Sequence, residues 1–144
     1  MPDLGKILTA KYPDAAWELE NNDYDRLVWI GPGNKPTLAE LELHWPQVEF
    51  DLIAKQKETA IDGYIETVAA DRGYGRKGVA PSVACSGYAG YSNSYQAEAQ
   101  AYIAWMASLW PVCWQIMQEV ADGQRPIPTD QELLAALPPM VWPT

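Results

Sequence analysis

The stretch NSYQAEAQAYIAWMASLWPVCWQIMQEVAD, residues 93–122, is one strongly apolar helical run holding three of the chain's seven tryptophans. Alternate steps of four and three join Ala99, Ile103, Met106, Trp110, Cys113, Met117 and Val120 in a heptad-like seam. Beside it, Tyr102, Trp105, Leu109, Val112 and Ile116 repeat with the complementary spacing, so the apolar sector is wider than the stripe a surface helix needs. Gln100, Ser108, Gln115, Gln118 and Glu119 hold the remaining face. That polar face, the length and the flanking charge argue against a membrane span. A large surface must therefore cover this rod, and the chain is read from packing before catalysis.

Outward from the rod, 144 residues with 48% apolar content suffice for one ordinary core, or for a small module joined to a helical part. Residues 3–12 place Leu4, Ile7, Leu8 and Tyr12 at helical spacing before Pro13. Ala16–Leu19 and Arg26–Ile30 flank the turn-prone Asn21, Asn22 and Asp23 and read as a hairpin, which needs a helix behind it. Thr37 and Glu40 fit a capping box, after which Pro46 is expected to interrupt the helix behind Trp45. A one-sided helix then runs to about residue 70 and is expected to lie against the tryptophan rod. From 71 to 94 periodicity dissolves into a connector with five of the ten glycines and Tyr74, Tyr88 and Tyr91. Asn93 or Ser94 can cap the rod, Pro111 should kink it, and Thr129 with Glu132 caps a last short helix before a proline-rich tail. The expected fold is α+β, mostly helical, with a hairpin-and-helix module over 1–48 and a helical part over 49–144.

Charge narrows the function. Ten basic against nineteen acidic residues give a formal charge of -9, which disfavours a nucleic-acid partner. Cys85 and Cys113 share no CxxC spacing and no basic-then-apolar leader opens the chain, which reads as a cytosolic product with reduced thiols. Gly73, Gly75 and Gly78 spell G-x-G-x-x-G, but a helix precedes them and Pro81 follows, so the strand-to-helix context of a dinucleotide loop is missing. Arg72, Arg76 and Lys77 form the one basic cluster, read as solvated loop charges or as a meeting point for an acidic surface. His44 is the only histidine and builds no metal site by spacing; a Cys85 and His44 thiolate pair would need contact that spacing does not announce. No catalytic, cofactor or metal residues are assigned.

Seven tryptophans and eight tyrosines beside one phenylalanine favour rings with a polar edge, suited to half-wet contacts. A tryptophan and methionine stripe is most often core, and Trp105 and Trp110 are read so first. Two adjoining seams, with tyrosines in the preceding loop, exceed what one partner helix of a short chain covers, which favours self-association or a protein client. The contact candidates are Tyr88, Tyr91, Tyr95, Tyr102, Trp105, Trp110 and Trp114.

Three segments carry a family resemblance: residues 23–29 (DYDRLVW), Lys35-Pro36-Thr37 with Glu40-Leu41-Glu42, and Trp45-Pro46-Gln47-Val48. They resemble the small proteins encoded beside tail-fibre genes of tailed bacteriophages, the XkdW-like and tail-fibre-assembly-like products. Residues 85–91 (CSGYAGY), 96–101 (QAEAQA) and the run from Gly123 through Glu132 and Leu133 resemble a C-terminal module of the same kind of phage protein. The resemblance implies a non-enzymatic protein that binds a fibre or other tail component, as an assembly chaperone or as a permanent part of the virion tail, baseplate or fibre. It implies work in the host cytoplasm during assembly, or a place in the tail itself; the residues point to a homo-oligomer or hetero-complex and away from a cofactor, nucleic acid or membrane. A small enzyme is the third class, requiring a cleft that gathers His44 or Cys85 with carboxylates.

Overall fold

The apolar spacing after Asp3 produces the first helix, and the chain as a whole is a mostly helical α+β protein. In the computed structural model, which describes residues 1–144, a two-stranded sheet and five α-helices form two compact units, Met1–Ile53 and Ala54–Thr144. Asp3 caps helix α1 (Leu4–Lys11) by accepting the Lys6 amide at 3.0 Å, and Leu4, Ile7 and Leu8 are buried. Strands β1 (Ala16–Glu18) and β2 (Val28–Gly31) pair antiparallel with Trp17 opposite Trp29. Their connection is wider than a tight turn. Asn21 and Asn22 adopt left-handed backbone, φ 56° and 57°, which a short amide side chain tolerates, and a 3-10 turn at Tyr24–Arg26 follows. Asn22 also anchors this loop: its Oδ1 accepts the Leu4 amide at 2.7 Å and its Nδ2 donates to the Pro2 carbonyl at 2.9 Å. One of the unpaired amides of the first turn of α1 is thereby satisfied.

The first core gathers Leu4, Ile7, Leu8, Leu27, Leu41 and Val48, with Trp17, Trp29 and Trp45 half-buried around it. Leu41 and Val48 come from helix α2 (Leu38–Asp71), which supplies the backing a two-stranded sheet requires. Thr37 starts α2 with the expected reciprocal cap, its Oγ1 accepting the Glu40 amide at 3.2 Å and its own amide donating to Glu40 at 2.7 Å. Pro46 does not interrupt the helix, contrary to the expectation from its position. The proline lacks an amide for the carbonyl of Glu42, but both residues are exposed, so the missing hydrogen bond is not a buried loss. The division between units falls inside α2, after Ile53.

In the second unit the remainder of α2 buries Ile61, Ile65 and Ala69. Helix α3 (Pro81–Ser86) breaks up the former connector, and helix α4 (Gln96–Ala121) is the tryptophan rod. The inner seam of α4 is core: Tyr102, Trp105, Leu109 and Ile116 are buried, joined by Ala99, Cys113 and Met117. Tyr102 donates its hydroxyl to the Ile65 carbonyl at 2.7 Å, and the Tyr64 and Trp105 rings meet edge-on at 5.7 Å, so α2 covers one side of the sector. Helix α5 (Asp130–Ala136), capped by Thr129 and Glu132, and the tail behind it cover another part through Leu133 and Leu137. Trp105 Nε1 donates to the Pro138 carbonyl at 2.8 Å, and the half-buried Lys57–Asp130 pair at 2.7 Å ties α5 to α2. Pro111 sits on an exposed face and α4 runs through it. The rod starts at Gln96 with Tyr95 as its uncapped first residue; neither Asn93 nor Ser94 caps it. No helix is long and apolar enough to cross a membrane.

Replacing Trp105 by alanine removes a buried ring and leaves the Pro138 carbonyl without its donor. The variant is expected to lose about 3–5 kcal/mol in the unfolding transition of the second unit, whereas Trp114→Ala should stay within about 0.5 kcal/mol. Denaturant titration of both variants checks this, and equal losses would contradict the assignment of the inner seam as core.

Candidate functional site

Two glycines shape the segment that follows α2. Gly73 (φ 102°) ends the helix, with the Gly73 amide returning to the Ala70 carbonyl at 2.9 Å and the Tyr74 amide to Ala69 at 3.0 Å, a left-handed stop that only glycine adopts without cost. Gly78 (φ 80°) occupies the third position of a turn in which Arg76 and Val79 pair across, Val79 amide to Arg76 carbonyl at 2.9 Å. The G-x-G-x-x-G letters therefore serve a helix stop and a turn. Beyond them, Pro81 opens α3, and the Glu66 carboxylate on α2 holds the start of α3 by accepting from the Ser82 amide at 3.0 Å and from its hydroxyl.

Tyr74 thereby comes to face the tyrosines of the turn before α4. Asn93 fixes that turn: its Nδ2 donates to the carbonyls of Tyr88 at 2.9 Å and Tyr91 at 2.7 Å, and its Oδ1 accepts the Tyr95 amide at 2.8 Å. Ring centroids lie 5.1 Å apart for Tyr88 and Tyr95, 6.4 Å for Tyr88 and Tyr91, 6.2 Å for Tyr74 and Tyr88, and 6.4 Å for Tyr74 and Tyr95. These are the distances of offset and edge-on aromatic contacts. Together with Arg76, Val79 and Val83 the four rings line an open groove of about 710 Å³.

Glu98, on the first turn of α4, is the groove's only carboxylate, and it is fully engaged. It accepts from Arg72 through Nε at 3.1 Å and through Nη2, and from the Tyr74 hydroxyl at 2.8 Å. The Arg72 and Tyr74 hydrogen bonds hold this carboxyl below the usual range, and the Arg72 guanidinium is correspondingly raised. Burial, followed by the bond to Glu98, pushes the Tyr74 hydroxyl well up, so it remains a donor. Tyr74 also meets the tail: Trp142 stacks on Tyr74 at 6.1 Å and on Tyr102 at 5.9 Å, the latter 4° from parallel, with the Arg72 guanidinium 5.3 Å from its ring centre.

The seven contact candidates thus separate. Tyr88, Tyr91 and Tyr95 meet at the groove, with Tyr91 56% and Tyr95 51% exposed. Tyr102 and Trp105 belong to the core and have no surface to offer a partner, which corrects their assignment as contact residues; the second seam faces α2 and the tail. Trp110 is half-buried, and Trp114, 62% exposed, stands with Ile103 on the outer face of α4. Sequence reasoning left out Glu98 and Trp142, and placed Arg72 in a basic cluster without its partner Glu98. An indole set among the prolines of the tail was the available sign of Trp142; nothing local marked Glu98 and Arg72 as partners.

His44 belongs to the first unit, where its ring lies edge-on to Tyr12 at 6.4 Å, and Cys85 to the second. Burial pushes the Cys85 thiol up to about 11, which keeps it protonated at neutral pH, and burial likewise raises the Cys113 thiol. No three His, Cys, Asp or Glu side chains gather in an arrangement that could hold a metal ion.

Because the folded state holds the Glu98 carboxyl below its unfolded value, its contribution is complete above about pH 4.3, the ordinary glutamate value, and is lost as pH falls through the folded value. Glu98→Gln should lower the melting temperature at pH 7, and its melting temperature should fall less between pH 6 and pH 3 than the parent's. Glu40 and Glu132, lowered by their cap bonds to Thr37 and Thr129, keep a residual acid slope in both proteins. Parallel acid limbs in a thermal melt series would remove Glu98 as the titrating anchor of the groove.

Comparison with protein-family models, with curated proteins and with solved structures finds no match to this chain.

Proposed function

We propose that this chain is a non-enzymatic bacteriophage tail protein that acts in tail-fibre assembly or attachment, docking on a fibre or other tail protein as an assembly chaperone. The carrying observation is the exposed aromatic surface of the second unit, made by Tyr91 and Tyr95 at the groove and Trp114 on α4. Rings with a polar edge gain little from standing in water but supply contact area at low entropic cost when a partner covers them. Their fixed presentation supports the reading further: Asn93 pins the turn bearing Tyr88, Tyr91 and Tyr95, so little ordering remains to be done on binding. The formal charge of -9 keeps such a surface soluble before its client arrives. The resemblance of short segments within 23–48, 85–101 and 123–133 to phage tail-fibre-assembly-like proteins supports a fibre or other tail protein as the class of client.

The test is co-expression with the fibre protein encoded beside it, followed by affinity capture. Tyr91→Ala with Tyr95→Ala, and separately Trp114→Ala, should reduce fibre recovery at least tenfold for whichever face docks, with the thermal melt unchanged, since all three side chains are exposed. Full recovery with both sets of substitutions would overturn the docking reading.

A further inference from the structure

The groove beside Tyr74 offers a specific chemistry. Of the eight tyrosines, Tyr24, Tyr74 and Tyr102 donate their hydroxyls within the chain, whereas those of Tyr88, Tyr91 and Tyr95 do not. The groove's only carboxylate is consumed by Arg72 and Tyr74, so no anionic acceptor remains for the hydroxyls of a sugar or for a cationic ligand. What is left is a row of aromatic faces, three free phenol donors and the guanidinium of Arg76, which forms no ion pair. A ligand for this set has apolar rings, outward carbonyl acceptors and no need of acceptors in return. Extended proline-rich peptide has that description: its prolyl rings pack on aromatic faces, and its helix leaves every carbonyl unpaired.

The chain holds its own proline-containing tail by an aromatic N–H donor and by ring stacking. Leu137 leaves α5 at φ -75° and ψ 148°, the polyproline II region, and Pro138 and Pro139 keep the tail extended. The indole of Trp105 donates to the Pro138 carbonyl, and Trp142 lies flat against Tyr102 and Tyr74 under Arg72. Tyr74 is therefore shared, stacking on Trp142 of the tail and lining the open groove. We propose that the tyrosine groove binds an extended proline-rich segment of a partner protein, with an acidic residue of that segment on Arg76. Arg76 and the adjoining Lys77 are the only free cations beside the groove of a strongly acidic chain, so they select the sign of the ligand. The inference deepens the docking reading and rests on it, since it names the kind of segment that docks.

The test is fluorescence-anisotropy titration of the full chain with three labelled peptides of equal length: oligoproline ending in glutamates, plain oligoproline, and a Gly-Ser peptide ending in the same glutamates. The first should bind most tightly and the Gly-Ser peptide at least tenfold more weakly. Tyr91→Ala with Tyr95→Ala should weaken the first at least about tenfold. Arg76→Glu should erase the advantage of the glutamates while leaving plain oligoproline unchanged. Equal binding of the Gly-Ser peptide, insensitivity to the tyrosine substitutions, or a groove occupied by a second copy, seen as self-association lost in the tyrosine variant, would each overturn the inference. If no peptide binds while the fibre protein is still captured through Tyr91 and Tyr95, the peptide inference falls and the docking reading stands.

Discussion

The burial of Tyr102 organises the second unit. A phenol cannot be buried without a partner for its hydroxyl, and the partner here is a backbone carbonyl of another helix, Ile65 on α2. That single bond fixes which seam of α4 faces inward. Once Tyr102 points at α2, Trp105, Leu109 and Ile116 follow by helical spacing, and Ile103 and Trp114 are carried to the outside. The ring of Tyr102 in turn offers a flat face on which Trp142 closes the end of the chain. Core, exposed stripe and tail all follow from one orientation.

Arg72, Tyr74 and Glu98 form the polar counterpart. The Gly73 stop turns the chain so that Tyr74 lies back over the end of α2, and Glu98 receives both its hydroxyl and the Arg72 guanidinium. Since the carboxylate is satisfied by three hydrogen bonds from two side chains, the groove next to it is left with rings and donors. The same construction joins the tail, the glycine-rich segment and the start of α4 around one shared ring.

Much of this was legible locally. The Thr37 and Thr129 caps, the apolar spacing of α1 and the hairpin around Asn21 and Asn22 depend on neighbours within a few residues, which the sequence displays. The double seam of α4 announced that much surface needed cover, but not which seam would receive it; that depends on α2, α5 and the tail arriving together. Pro46 misled because propensity treats a lost amide as fatal, whereas at an exposed position the missing hydrogen bond is not a buried loss. The groove was half visible. Tyr88, Tyr91 and Tyr95 stand close in sequence, but Tyr74 and Glu98 are brought to them by tertiary folding, and no periodicity links them.

Both cysteines lie in the second unit and are buried with their thiols protonated, while the first unit has none. A thiol-specific reagent added to the native protein near neutral pH therefore meets no reactive sulfur until the second unit opens. The chain carries its own clock for local unfolding, ticking only for the half that bears the tyrosines and blind to events around the hairpin.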